Sequence, residues 1–177
     1  MMSNLKLSKN IKIVVSDFDG VFTDGSVYID ENLKHTKRLS YKDIMGVSML
    51  LKAGYDFAII SGEDSNILNY FNIKFGIEEI HKGIRNKGIV LEDLMARKNL
   101  TKEEVLYIGD DINDISAFEL VQYKIAPKNA NPIIKLRDDI QITNATGGDG
   151  AIREIVDTLL NNTEEPKEKE TEVLSYE

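Results

Sequence analysis

Ile11-Lys12-Ile13-Val14-Val15-Ser16-Asp17-Phe18-Asp19-Gly20 joins an apolar run to two closely spaced carboxylates. Its first six residues form a short, β-branched apolar run, which suits a strand buried inside a sheet. Side chains alternate along an extended chain, so Asp17 and Asp19, at i and i+2, are expected to point the same way at the strand's exit. Two like charges held that close are costly unless a cation lies between them. A hard divalent cation that takes oxygen ligands, Mg²⁺ above all, meets that need.

Outward from this stretch, strand-like and helix-like patterns alternate. Residues 26–29 and 35–39 read as a hairpin that turns at Asp30, Glu31 and Asn32. Helical spacing runs over 43–53 and is closed by Gly54. A strand over 56–60, a helix over 63–74, a short strand over 79–81 and a helix over 86–98 follow. Thr101-Lys102-Glu103-Glu104 matches a capping box and marks a helical turn. Then come a strand over 105–108, a helix over 113–121, a strand over 123–126, a short helix around 131–136, a strand near Gln141 and a last helix over 151–160. This alternation predicts an α/β fold, a doubly wound and mainly parallel sheet with helices on both faces. Only residues 22–42 separate the first strand exit from the next helix, which leaves room for a small β-hairpin flap and not for a separate cap domain.

Composition bounds the chemistry. With 177 residues the chain suits one domain with an ample core, placed here at 1–160, and the Lys/Glu-rich stretch 161–177 reads as a disordered acidic tail. There is no cysteine, which excludes disulfides, zinc–thiolate sites and thiol catalysis. The formal net charge of −8 argues against nucleic acid or an anionic membrane as partner. No run is long enough to span a bilayer and the first ten residues are polar, so a cytoplasmic location is expected.

In doubly wound sheets ligands bind beyond the carboxyl ends of the strands. Polar clusters stand at those places: residues 17–25, Ser61-Gly62, Lys87 at a helix start, and Gly109-Asp110-Asp111-Ile112-Asn113-Asp114. Each alone has an ordinary reading as a turn, a cap or a surface charge. All four, in this order on this alternation, are a different matter. The chain resembles the haloacid dehalogenase-type phosphohydrolases over about residues 11–160. Within them it is most similar to the small phosphatases of 3-deoxy-ulosonic acid phosphates, whose type member acts on 3-deoxy-D-manno-octulosonate 8-phosphate (KDO 8-phosphate). The stretches that carry the resemblance are 17–25, 60–62, 107–114 and Gly147-Gly148-Asp149-Gly150-Ala151-Ile152-Arg153-Glu154.

The resemblance implies Mg²⁺-dependent hydrolysis of a small phosphorylated sugar acid through an aspartyl-phosphate. It makes Asp17 the nucleophile, Asp19 the acid and base, and Lys87 the cation that offsets charge at Asp17 and the phosphoryl group. It gives the metal Asp17, the backbone carbonyl of Asp19, and Asp110, with Asp111 and Asp114 orienting that shell. Acidic groups at 17, 19 and 110 are thus expected to converge on one cation. Ser61 and Gly62 would hold phosphoryl oxygens, and Lys42, Asp43 and Glu63 would contact the rest of the substrate. The resemblance also implies a homotetramer in which neighbouring chains close each site.

Three departures bear on the substrate. Relatives acting on KDO 8-phosphate usually carry Arg where this chain has Glu63, Arg-Asp-Gly where it has Lys42-Asp43-Ile44, and Lys or Arg where it has Asp149. Glu63 and Asp149 resemble instead the branch acting on KDN 9-phosphate, so that compound and N-acylneuraminate 9-phosphate stand as alternatives. Glu63 reads equally well as a first-turn helix carboxylate. The glycine loop at 147–150 reads as a mobile flap or an anion-facing helix start, or else as a plain loop and N-cap. A phospho-accepting receiver module shares the acidic Mg²⁺ pocket and the lysine, and is the reading of another class.

Overall fold

The first strand, β1 (Ile13–Ser16), is buried along its whole length, so both of its faces must be covered by apolar layers. In the computed structural model, which describes residues 4–162, β1 is followed by a hairpin of β2 (Tyr28–Ile29) and β3 (His35–Thr36), then α1 (Tyr41–Lys52) and β4 (Asp56–Ile60). Next come α2 (Asn69–Phe75), β5 (Ile80–His81), α3 (Lys87–Arg97), β6 (Val105–Ile108), α4 (Ile115–Phe118), β7 (Tyr123–Ala126), α5 (Pro132–Lys135), β8 (Gln141–Ile142) and α6 (Ala151–Asn161). Single 3₁₀ turns, Asn66–Leu68 and Ile112–Asp114, lead into α2 and α4.

Six strands form one sheet in the order β5-β4-β1-β6-β7-β8, and every pairing in it is parallel. Alternate residues feed opposite layers. Val14, Leu106 and Ile108 join Val47 and Leu50 of α1, Phe71 of α2 and Ile152 and Ile155 of α6. Ile13, Val15, Val105 and Tyr107 join Leu91 and Leu94 of α3, Ala117 and Phe118 of α4 and Ile134 of α5. The α/β fold expected from the alternation is the fold observed. Its chain builds outward from β1 on one side and then returns to the other, which puts the topological switch point beside the carboxyl end of β1.

Several boundaries differ from the sequence reading. The strand runs predicted over 11–16 and 35–39 shorten to 13–16 and 35–36. Helical structure predicted from residue 63 starts only at Asn66, because residues 62–65 form a loop and Ser65 gives no side-chain cap. Glu63 is therefore not a first-turn helix carboxylate. The Thr101–Glu104 box closes one turn, with the Thr101 N–H donating to the Glu104 carboxylate at 2.9 Å, and no helix follows. The helix over 113–121 shrinks to a 3₁₀ turn and four residues. The last helix extends to Asn161, and the tail reading for 163–177 lies outside the described residues.

The contact of α1 with α6 depends on two residues. A Cβ on Gly46 would lie 3.2 Å from Arg153 Cα, so the glycine sets how closely the helices approach. Asp43 is fully buried and accepts the N–H groups of Gly150 at 3.0 Å and Arg153 at 3.2 Å. It thus satisfies donors at the start of α6 that the helix itself leaves free. This corrects the expectation that Asp43 contacts substrate: its carboxylate is enclosed between two helices. Burial pushes its pKa up, against the lowering effect of those backbone bonds. Asp43→Ala should cost about 1–3 kcal/mol, because buried donors lose their acceptor. Urea unfolding checks this, and an unchanged midpoint would contradict it.

Candidate active site

Parallel pairing fixes which residues meet at the carboxyl edge of the sheet. Ser16 stands opposite Ile59 of β4 and Ile108 of β6, so Asp17, Ser61 and Asp110 all leave the same edge within a few residues. The Asp17 N–H donates to the Ile108 carbonyl at 2.8 Å, extending the ladder to the acidic residue itself. Beyond it the chain turns, anchored by Phe18 and Phe22, whose rings stack 5.8 Å apart and are fully buried. Glycines permit the crowding. A Cβ on Gly20 would lie 1.9 Å from Asp110 Oδ2, and one on Gly147 would lie 1.8 Å from the Gly20 carbonyl oxygen. The glycine loop at 147–150 is therefore packed against the turn that follows Asp17, with the Gly148 N–H donating to the Val21 carbonyl at 2.9 Å. It buttresses that turn.

Lys87 is the electrostatic centre. Its side chain is wholly buried at the start of α3, with Nζ 2.8 Å from Asp17 Oδ2 and 2.7 Å from Asp114 Oδ1. Burial would lower its pKa, but the two carboxylates outweigh that and raise it, so the ammonium stays charged. Asp114 has both oxygens occupied. Oδ1 also accepts the Tyr107 hydroxyl at 2.7 Å, and Oδ2 accepts the N–H groups of Asp110 and Asp111 at 2.9 and 3.1 Å. Asp111 accepts from Asn131 Nδ2 at 2.8 Å. These bonds fix the loop that carries Asp110.

Asp17, Asp110 and Asp114 each offer an oxygen within 4.8 Å of the others. Lys87 pairs with two of the three carboxylates, and no ion pair among the described residues ends on Asp110. Burial first, then repulsion from Asp114, pushes the Asp17 pKa well above the usual carboxylate range despite Lys87. Burial, Asp114 and Asp111 together push Asp110 up to about 7. Carboxylates strained in this way form an all-oxygen donor set that fits a hard divalent cation. Because Asp114 is already saturated by Lys87, Tyr107 and two backbone N–H groups, Asp17 and Asp110 are the side chains available to hold it.

A cavity of about 420 Å³ opens over this cluster, bordered by Asp17, Asp19, Gly62, Glu63, Asp110 and Asn113. Ser61 is buried beneath it and its Oγ accepts the Glu63 N–H at 3.3 Å. Two expectations are corrected. The Asp19 side chain does not join the acidic cluster: β1 ends at Ser16, the period-two relation lapses in the turn, and the Asp19 carboxylate faces Lys37 instead. Lys42 does not reach the cavity either. It pairs with Asp149 at 3.0 Å and borders a separate, larger cavity beside α6.

The sequence reading gives no site role to Lys37, His35, Asn113 or Tyr107, although Asn113 and Tyr107 lie within the 107–114 stretch that carries the resemblance. Lys37 bridges Asp19 and Glu63, and His35 Nδ1 lies 3.4 Å from the same Glu63. Both come from a hairpin that looks like exposed ribbon. Tyr107 reads as one more apolar strand residue, and Asn113 as a helix cap. Only the proximity of Asn113 to the Asp110-Asp111 pair hinted at more.

A profile of the haloacid dehalogenase-like hydrolases matches residues 56–155. The chain is 33% identical over 153 residues to the 3-deoxy-D-manno-octulosonate 8-phosphate phosphatase of Salmonella typhi, covering 86% of this chain and 81% of that protein. Among solved structures, the cobalt-bound deoxy-D-mannose-octulosonate 8-phosphate phosphatase of Haemophilus influenzae superposes with a TM-score of 0.81 at 36% identity, covering 87% of this chain and 90% of that one. The Moraxella catarrhalis 3-deoxy-D-manno-octulosonate 8-phosphate phosphatase, in complex with magnesium, phosphate and KDO, gives 0.80 at 30% identity, with 87% and 88% covered.

The raised pKa of Asp110 has a consequence for stability. In metal-free protein the native chain keeps this proton between about pH 4 and pH 7, while the unfolded chain loses it near pH 4. The contribution is therefore present below pH ~4 and is lost as pH rises through about 7. Surface carboxylates such as Glu79, drawn down to about 2 chiefly by Arg97, act in the opposite sense. The informative quantity is thus the difference between wild type and Asp110→Asn, unfolded by urea in chelator across this range. The wild type should lose stability relative to the variant as pH rises, and added Mg²⁺ should restore it. A difference that is flat or grows with pH would contradict the assignment.

Proposed function

Because the chain belongs to the haloacid dehalogenase-like hydrolases and is a phosphatase, we propose that it hydrolyses KDO 8-phosphate through an aspartyl-phosphate on Asp17. The observation that carries this reading is the meeting of Asp17, Asp110 and Asp114 within 4.8 Å around one buried lysine. It is supported by relatives whose names specify that substrate. Magnesium is the cofactor, and Asp17, Asp110 and the backbone carbonyl of Asp19 would hold it. When bound, the ion neutralises charge between the phosphate and the nucleophile.

The chain's own residues do the rest. Asp17 attacks phosphorus, the P–O ester bond breaks, and the departing oxygen takes a proton from Asp19. Asp19 then removes a proton from water, which attacks phosphorus and releases phosphate and free Asp17. Lys87, 2.8 Å from Asp17, keeps that carboxylate oriented and offsets its charge in both halves. Ser61 and Gly62 would receive phosphoryl oxygens, and Asp111 and Asp114 would hold the Asp110 loop.

The eight-carbon substrate is retained over KDN 9-phosphate and N-acylneuraminate 9-phosphate. Asp149 is paired with Lys42 outside the cavity and says nothing about substrate, and Glu63 is already engaged by Lys37 and His35. The receiver reading is set aside because the matched relatives are hydrolases.

A homotetramer and a cytoplasmic setting belong to the same proposal. No described helix is long and apolar enough to cross a membrane. The hairpin exposes Tyr28 at 70% and Leu33 at 78%, an apolar ribbon next to an open site, which suits burial against another copy.

Phosphate release with Mg²⁺ should be fastest from KDO 8-phosphate in a panel containing both nine-carbon alternatives. Asp17→Asn should abolish it, and Asp19→Asn should slow it about 10²- to 10⁴-fold. Equal weak turnover of all substrates would refute the substrate assignment. Light scattering should report four chains per particle, and a fully active monomer would refute the assembly.

A further inference from the structure

Lys37 follows a strand whose residues are all exposed, yet its own side chain is only 4% exposed. A lysine on a solvated ribbon ordinarily keeps its ammonium in water and its rotamers free. Here the ammonium sits 2.8 Å from Asp19 Oδ1 and 2.9 Å from Oδ2, bonds Glu63 on its other side, and lies 5.7 Å from the centre of the Phe18 ring. Asp19, in contrast, is 35% exposed, so packing alone does not select its rotamer. Among the described residues Lys37 is the one cation paired with it.

We propose that Lys37 is a positioning residue, which fixes the Asp19 carboxyl toward the leaving-group oxygen and is itself fixed by Glu63. The proposal rests on the reading of Asp19 as the acid. A chain of contacts, Glu63 to Lys37 to Asp19, runs from the loop after β4 through the hairpin to the turn after β1. It ties three separate segments to the placement of one proton donor. A purely structural role would be to pin the hairpin. Arg38 already contributes to that, donating from Nη2 to the Gly148 carbonyl at 3.0 Å.

The two roles separate through the leaving group. In the first step the Asp17–phosphorus bond forms and the ester P–O bond breaks, its electron pair going to the ester oxygen. An alkoxide oxygen takes, as it departs, the proton that Asp19 carries on one carboxyl oxygen while the other still accepts from Lys37, whereas nitrophenolate is stable as an anion and needs none. The parameter kcat/KM reports that step without the later attack of water, provided alcohol departure is the first irreversible event.

The test measures kcat/KM of the magnesium-loaded enzyme for KDO 8-phosphate and for p-nitrophenyl phosphate in wild type, Lys37→Met and Lys37→Arg. The methionine variant should lose at least about tenfold more on the alkyl ester than on the aryl ester, a part of the general-acid contribution. Arginine, which restores a cation able to bridge two carboxylates, should recover most of the alkyl activity. Lys37→Gln gives the same ratio if the methionine variant does not fold. Equal losses on both esters, or no loss, would overturn the proposal. A wild type that releases phosphate from neither ester would overturn the phosphatase reading itself, a separate failure.

Discussion

The fold depends on where it can keep three carboxylates out of water. Asp17, Asp110 and Asp114 come together at the carboxyl edge of a parallel sheet, and Lys87 holds two of them from a fully buried position. Removing one partner from such a pair typically costs about 3–5 kcal/mol, because the other charge stays buried. The surroundings make sense as provision for this cluster. Tyr107 and the N–H groups of Asp110 and Asp111 saturate Asp114, and Gly20 leaves room for the Asp110 carboxylate. Among the described residues no second positive charge pairs with the cluster, and burial, then repulsion from Asp114, raises the pKa values of Asp17 and Asp110.

Much of this was legible in the sequence. Apolar runs too short for helices, each ending in a polar cluster, carried the sheet, its parallel sense and the edge at which Asp17, Ser61 and Asp110 emerge. Period-two reasoning was reliable inside β1 and failed for Asp19, because an alternation argument lapses where the chain stops being extended. Helix starts were misplaced where side chains engage tertiary partners. Glu63 reads as helix-opening, but it turns to Lys37 and His35, which come from a hairpin remote in sequence. Asp43 shows the same limit in another form. A carboxylate next to Lys42 reads as a ligand contact, and only the packing of α1 on α6 reveals it as the cap of a distant helix. Lys37 gave no signal, since local sequence does not distinguish a lysine that folds inward from one that stays in water.

The hairpin is the one two-stranded element among the described residues that lies outside the main sheet. It is two short strands with an apolar outer surface, joined to the body by Lys37 and Arg38 rather than by a shared sheet. An element of this size cannot enclose a substrate, and an open site weakens every electrostatic interaction that the cluster makes. Lys37 and His35 instead reach Asp19 and Glu63, while Tyr28 and Leu33 stay exposed. On the reading proposed above, one short ribbon would serve both positioning and assembly.

On the proposed mechanism Asp17 carries the phosphoryl group between the two halves of the reaction. Rapid acid quench during turnover of KDO 8-phosphate with Mg²⁺, followed by mass spectrometry of the proteolytic fragments, tests it directly. The added mass of one phosphoryl group is expected on the fragment containing Asp17 and is expected to be absent in Asp17→Asn. Phosphate release at full rate with no phosphorylated fragment, or with the group on another residue, would contradict it.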